Sequence, residues 1–237
     1  MVMVEKPILN LKSLKDQVYE YLREQMHCGE ILPGSVINMD ETAKKLGVSK
    51  TPLRDALLQL EMEDFVSILP RRGVVVNVLT LQDIKNYYEI IGSLESTALL
   101  LAADKIKNLD IKTMEKLIEG MKKAIDYNNF DLYYERNLKF HNAFLNLCGN
   151  EKLIKIVDNL KKRLYDFPRQ EGFVKEWEET SNSKEHWEIF NLIKEGKFQE
   201  AARYIRDVHW SFKVQERFVN KYYAKALQYT SKLSVEF

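Results

Sequence analysis

Apolar positions follow a helical period through the first 60 residues, alternate over the next 18, and then return to the helical period. Leu14, Val18, Tyr21, Leu22 and Met26 recur at helical spacing and predict a first helix over 12–28, closed by Gly29 before a Leu32-Pro33-Gly34 turn. Asn38-Met39-Asp40-Glu41 has capping-box spacing and predicts a short second helix ending at Leu46. Gly47 suits the left-handed conformation that ends a helix, and Ser49 is a natural cap for the next one. Pro52 falls in its first turn, where backbone N–H groups have no helical partner to lose. Leu53, Ala56, Leu57 and Leu60 then repeat at i, i+3, i+4 and i+7 and predict a core face. Two β-rich runs, Phe65–Leu69 and Val74–Val78, flank Pro70-Arg71-Arg72-Gly73 and predict a hairpin. Helix-turn-helix followed by a hairpin is the pattern of a winged helix.

From Thr80 onward the chain reads as helical throughout. Thr80 is placed to cap a long helix over Leu81–Ala103, lined by Ile84, Tyr87, Tyr88, Ile91, Leu94, Ala98 and Leu101. Further helices are predicted at 111–127, 130–148, 150–166, 181–195 and 198–229, with a polar segment at 168–180. The expected fold is mainly α: a winged helix-turn-helix domain with a small β-hairpin wing over 1–79, then an all-α antiparallel bundle over 80–237.

Composition narrows the function. Of 237 residues, 30% are charged and the net charge is only +1, so bulk electrostatics does not announce a nucleic-acid partner. Residues 1–79 hold 10 Lys and Arg against 11 Asp and Glu, a net of −1. A DNA surface must therefore be a local patch, and Lys44, Lys45, Lys50, Arg54, Arg71 and Arg72 supply one. Lys50, Thr51 and Arg54 project together beside the core face of the third helix, where cations and a hydroxyl reach phosphates and guanine edges in a major groove. Arg71 and Arg72 at the wing tip suit phosphate or an adjacent minor groove. Two cysteines, Cys28 and Cys148, offer neither a disulfide framework nor metal spacing. With no apolar run long enough to span a membrane and no signal-peptide core, the expected location is cytoplasmic.

The segment VYEYLREQMHCGEILPGSVINMDETAKKLGVSKTPLRDALLQLEMEDFVSILPRRGVVV resembles the GntR family of bacterial transcription regulators. That family shows G-x-[IL]-x-P-G, then L-A-x-x-L-G-V-S-R-T-P-V-R-E-A-L, then a wing ending in R-G-x-x-V. The resemblance implies DNA contacts from Lys44, Ser49, Lys50, Thr51, Arg54, Arg71 and Arg72, with Gly73 holding the wing turn. Lys50 stands where the family usually has arginine, and the region around Asp40 replaces an arginine often found at the start of the second helix.

Three of the four histidines, His141, His186 and His209, fall in the helical region, with Asn137 one turn before His141 on the same face. Each alone is more often structural, but imidazoles converging from three helices make a divalent-metal site by ligand type. NLKFHNAF, SKEHWEIFNLIKEGKFQEAARYIRDVHW and LESTALLLAA resemble the FCD effector domain that defines the FadR branch of the family. This resemblance implies a metal centre of Asn137, His141, His186 and His209, with zinc or nickel favoured because imidazole dominates the shell. It also implies a small carboxylic acid as effector. Aspartate is commoner at the position of Asn137, and the arginine often three residues before the Leu-Glu pair is Ile91 here.

The expected function is a homodimeric transcription regulator, a repressor, that binds near-palindromic double-stranded operator DNA and is not an enzyme. A helical-bundle metalloenzyme of hydrolase type is the rival, opposed by the lack of a general-base glutamate in a motif such as H-E-x-x-H. A winged helix used only for protein contacts is a third reading.

Overall fold

A computed structural model describes residues 12–106, 111–165, 175 and 183–221. The backbone divides into two compact units between Val78 and Leu79. The first is a winged helix built from α1 (Leu14–His27), β1 (Val36–Ile37), α2 (Met39–Leu46), α3 (Lys50–Met62), β2 (Val66–Leu69) and β3 (Gly73–Val76). Helix α3 buries Leu53, Ala56, Leu57 and Leu60 completely, as their spacing predicts. Asn38 caps α2 by accepting from the backbone N–H groups of Asp40 and Glu41. Gly47 closes the helix at φ 66°, a conformation that costs glycine little.

Three features of this unit differ from the sequence reading. The wing is a three-stranded antiparallel sheet in the order β1-β3-β2, because Val36 and Ile37 pair with Val75 and Val74. Two residues are too short a run to show a period. In α1, Leu14 is exposed and Tyr21 only half-buried, while Tyr19 is buried instead. The Tyr19 hydroxyl donates to the buried Glu63 carboxylate, and the Arg23 guanidinium lies over its ring, so a polar tip finds partners inside. Ser13 starts this helix with a reciprocal capping box to Asp16.

The second unit is a helical bundle. It comprises α4 (Leu81–Ile106), α5 (Ile111–Asp126), α6 (Phe130–Leu145), α7 (Glu151–Tyr165), α8 (Ser183–Lys194) and α9 (Phe198–Tyr204), then a π-helical turn (Ile205–His209) and a last helix over 212–221. Thr80 and Asp83 form a capping box at the start of α4. The buried seam of α4 runs Ile84, Tyr88, Ile91, Glu95, Ala98, Ala102, Ile106, which leaves Leu101 exposed and brings a glutamate into the core. The predicted 168–180 segment apart from Lys175, residues 181–182 and residues 222–229 lie outside the described residues. The continuous helix predicted from 198 does not form. At its π turn the Trp210 N–H donates to the Ile205 carbonyl five residues back, and the chain breaks at Ser211 before resuming.

Gly92 of α4 is where this turn packs. A Cβ at Gly92 would lie 2.7 Å from the Cβ of Trp210 and 3.5 Å from the backbone of Arg206. Neither atom belongs to the far end of a flexible side chain, so the two elements would have to separate. We expect Gly92→Ala to destabilise the helical unit by ~1–3 kcal/mol through overpacking. Thermal denaturation of the full chain checks this, and an unchanged Tm would show that the close approach is dispensable.

Candidate metal centre and nucleic-acid interface

In the winged unit Lys44, Ser49, Lys50, Thr51, Arg54, Arg71, Arg72 and Gly73 are all exposed. Ser49 sits at the N-cap of α3, yet its side chain makes no capping hydrogen bond. Pro52 at the third helical position has no N–H, which removes one of the two donors an N-cap oxygen can accept from. Lys50 is not a free cation: its ammonium lies 2.5 Å from Asp40 on α2. Both groups are well exposed, and such pairs are worth only ~0–1 kcal/mol, so a phosphate can displace the carboxylate. Arg54, Arg71 and Arg72 form no ion pair among the described residues. Arg71 itself turns the wing at φ 63°, following Pro70, and the Arg72 N–H donates to the Leu69 carbonyl.

The bundle gathers the three histidines from α6, α8 and the π turn. His141, His186 and His209 are each at most 4% exposed, and one ring nitrogen from each lies within 4.8 Å of the others. Ring centroids are 4.9–5.5 Å apart, with His141 and His209 stacked. Asn137, also buried, places its amide nitrogen 3.1 Å from Nε2 of His186, while its oxygen accepts from the Tyr165 hydroxyl at 3.4 Å. The four residues singled out in the sequence therefore share one pocket.

Behind the imidazoles stand two glutamates that sequence reasoning missed. His209 Nδ1 lies 2.9 Å from Oε2 of Glu185, whose other oxygen accepts from Gln215 at 3.0 Å. His141 Nδ1 is 2.8 Å from Oε2 of Glu95, which also accepts from the Trp210 indole N–H at 2.8 Å. The Lys161 ammonium, fully buried on α7, is paired with Oε1 of Glu95 and lies 5.4 Å from the Trp210 ring centre. A carboxylate at Nδ1 favours the tautomer that carries its proton there, leaving Nε2 a lone-pair donor. Nε2 of His141 is buried without a hydrogen-bond partner, the condition of a ligand atom awaiting a cation. The residues thus fit a divalent transition metal.

Electrostatics supports the same reading. Burial pushes the His141 imidazolium down to about 4, with Glu95 opposing and Lys161 reinforcing the shift, so the ring is neutral near pH 7. Burial would raise the Glu95 carboxyl, but His141 and Lys161 together hold it well below the ordinary range. Glu95 was detectable in the sequence as a charge one turn after Ile91 and three residues before Ala98, on the core seam. Lys161 stands likewise one turn after Val157. A surface cleft of about 780 Å³ beside α4, lined by Lys85, Arg206, Phe212 and Lys213 among others, holds none of the histidines and meets the centre only through Trp210.

Comparison with known proteins gives this geometry its context. Residues 14–76 match the family model for bacterial regulatory proteins of the gntR family, and residues 86–209 match the FCD domain. A Bacillus subtilis HTH-type transcriptional regulator, YdhC, is 29% identical over 188 residues, covering 79% of this chain and 83% of its own. The Escherichia coli HTH-type transcriptional repressor RspR is 25% identical over 159 residues, 67% of this chain and 69% of its own. The solved structure of E. coli McbR/YncC shares the fold, with a TM-score of 0.62 at 20% identity over 93% of this chain and 100% of that one. These relatives are transcription regulators, not enzymes, which retires the hydrolase reading, and no helix among the described residues is long and apolar enough to cross a membrane. A winged helix matching one model and a histidine-bearing bundle matching the other make this chain a DNA-binding transcription regulator of the GntR family, in the FadR-like branch with a C-terminal FCD domain.

Proposed function

We infer that this regulator is a homodimeric repressor whose affinity for a near-palindromic operator is set by a small carboxylic acid bound at a divalent metal. The observation that carries the reading is the convergence of His141, His186 and His209, each from a different element, in a buried pocket with an orphaned imidazole nitrogen. Asn137, His141, His186 and His209 are the residues that would hold the ion. Four neutral ligands leave a divalent ion its full charge, and zinc or nickel suits imidazole best; when bound, the ion supplies a positive centre that favours an anionic ligand. Repression is supported by RspR, a repressor by name.

Dimerisation through the helical unit is supported by α4. Ile90, Leu94, Thr97 and Leu101 fall at i, i+4, i+7 and i+11, with Ile90 and Leu101 exposed, and exposed Ile156 lies on α7, which packs against α4. Two copies are also what a palindromic operator requires, because one recognition helix covers one half-site. In each copy the uncommitted guanidinium of Arg54 reads a base edge or an adjacent phosphate, and Arg71 and Arg72 hold the backbone.

Four outcomes are expected. Arg54→Ala should weaken specific operator binding by ~1–3 kcal/mol if its contact is bidentate to guanine. Arg71→Ala or Arg72→Ala should weaken binding evenly across sequences and flatten its salt dependence. Titration of selected duplexes separates the two patterns; unchanged operator affinity in a folded Arg54→Ala protein sinks the recognition-helix assignment. His186→Ala should lose metal and effector response while keeping bare DNA affinity, read by elemental analysis and DNA titration. Full metal occupancy after alanine replacement of each histidine would refute the centre. Sedimentation of a chain of residues 80–237 should give a dimer, and a monomer would place the interface elsewhere.

A further inference from the structure

Glu95 and Lys161 are fully buried charges outside the ligand set, and both stand behind one ligand, His141. The carboxylate behind His209 is treated differently: Glu185 accepts from the neutral amide of Gln215. Packing alone does not call for an ammonium at position 161, since its neighbours on the α7 seam, Val157 and Leu164, are apolar. Burying an ion pair is weak support for stability, because desolvation of both charges consumes most of their attraction. The pair needs another explanation, and its place in the pocket offers one.

A carboxylate on the far nitrogen of a ligating imidazole raises ligand basicity and holds the ring in its metal-binding tautomer. A cation in the same low-dielectric pocket does the reverse: it offsets the carboxylate and repels a second positive charge. Resting on the metal reading above, we propose that Glu95 and Lys161 are opposed positioning residues that set the metal affinity of the histidine centre, Glu95 raising it and Lys161 holding it down. The centre is thereby tuned to exchange its ion with the surrounding pool instead of trapping it as a permanent structural ion. Trp210 braces both groups, its N–H on Glu95 and its ring near the Lys161 ammonium.

The test is zinc affinity of the full-length protein, measured with Zn(II) alone against a chromophoric chelator. Glu95→Gln, which keeps shape and an acceptor but removes the charge, should bind zinc ~10–100-fold more weakly. Lys161→Gln should bind it more tightly, on the order of tenfold, while Lys161→Arg stays within about threefold of the parent chain. A merely structural role for the pair would move both neutral variants in the same direction, toward weaker binding. If Lys161→Gln folds only with zinc present, that dependence supports the proposal, because the ion then supplies the charge that offsets Glu95. Equal or weaker zinc binding by folded Lys161→Gln overturns it, as does failure to fold with zinc as well as without. A parent chain that binds neither zinc nor nickel instead overturns the metal reading itself, which separates the two failures.

Discussion

A carboxylate sealed from water must be surrounded by donors, and those around Glu95 come from three other elements. Glu95 itself is on α4, His141 on α6, Lys161 on α7, and Trp210 directly follows the π turn. Removing one partner from such a buried set costs ~3–5 kcal/mol, because the charge left behind has no solvent to turn to. The elements that carry or flank the three histidines are therefore held by an interaction that is expensive to break and specific in direction. Apolar packing of α4 against its neighbours would leave their axial register softer.

The π turn is the second half of that arrangement. Consecutive residues of a helix point about 100° apart, so His209 and Trp210 face different parts of the bundle. The wider turn from Ile205, followed by the break at Ser211, lets both sit 4% exposed, one in the histidine pocket and the other against Glu95. A turn of this kind is a costly departure from α geometry that recurs at functional sites. Gly92 makes it possible by offering no Cβ where Trp210 approaches.

The winged unit solves a different problem, placing positive charge on a protein segment whose net charge is −1. It does so by position: α3 puts Arg54 on the surface beside a fully buried leucine face, and the wing turn exposes Arg71 and Arg72. Lys50 is paired with Asp40, but at the surface such a pair is weak enough to yield to a phosphate. Pro52 lies in the first turn of α3, and the Ser49 hydroxyl at the same edge makes no capping hydrogen bond.

How much of this was legible in the chain follows from the range of each interaction. The helices, the caps at Asn38 and Thr80, the Gly47 stop, the wing turn and the core of α3 rest on neighbours within a few residues, so local patterning determined them. The histidines and Asn137 were visible as residue types, and family motifs grouped them. Their convergence belonged to the bundle, since 68 residues separate His141 from His209 and no local spacing brings them together. Glu95 and Lys161 broke the apolar periodicity of their own helices, a signal with no stated partner until α4, α6 and α7 were packed. Strand β1 and the π turn were likewise decided in three dimensions: two residues acquire a strand only from β3, and the π turn packs where Gly92 leaves room for Trp210 and Glu95 accepts from its indole. Short-range hydrogen bonds and periodicity can be read from order alone, whereas buried charge and close backbone approach exist only once distant segments exclude water together.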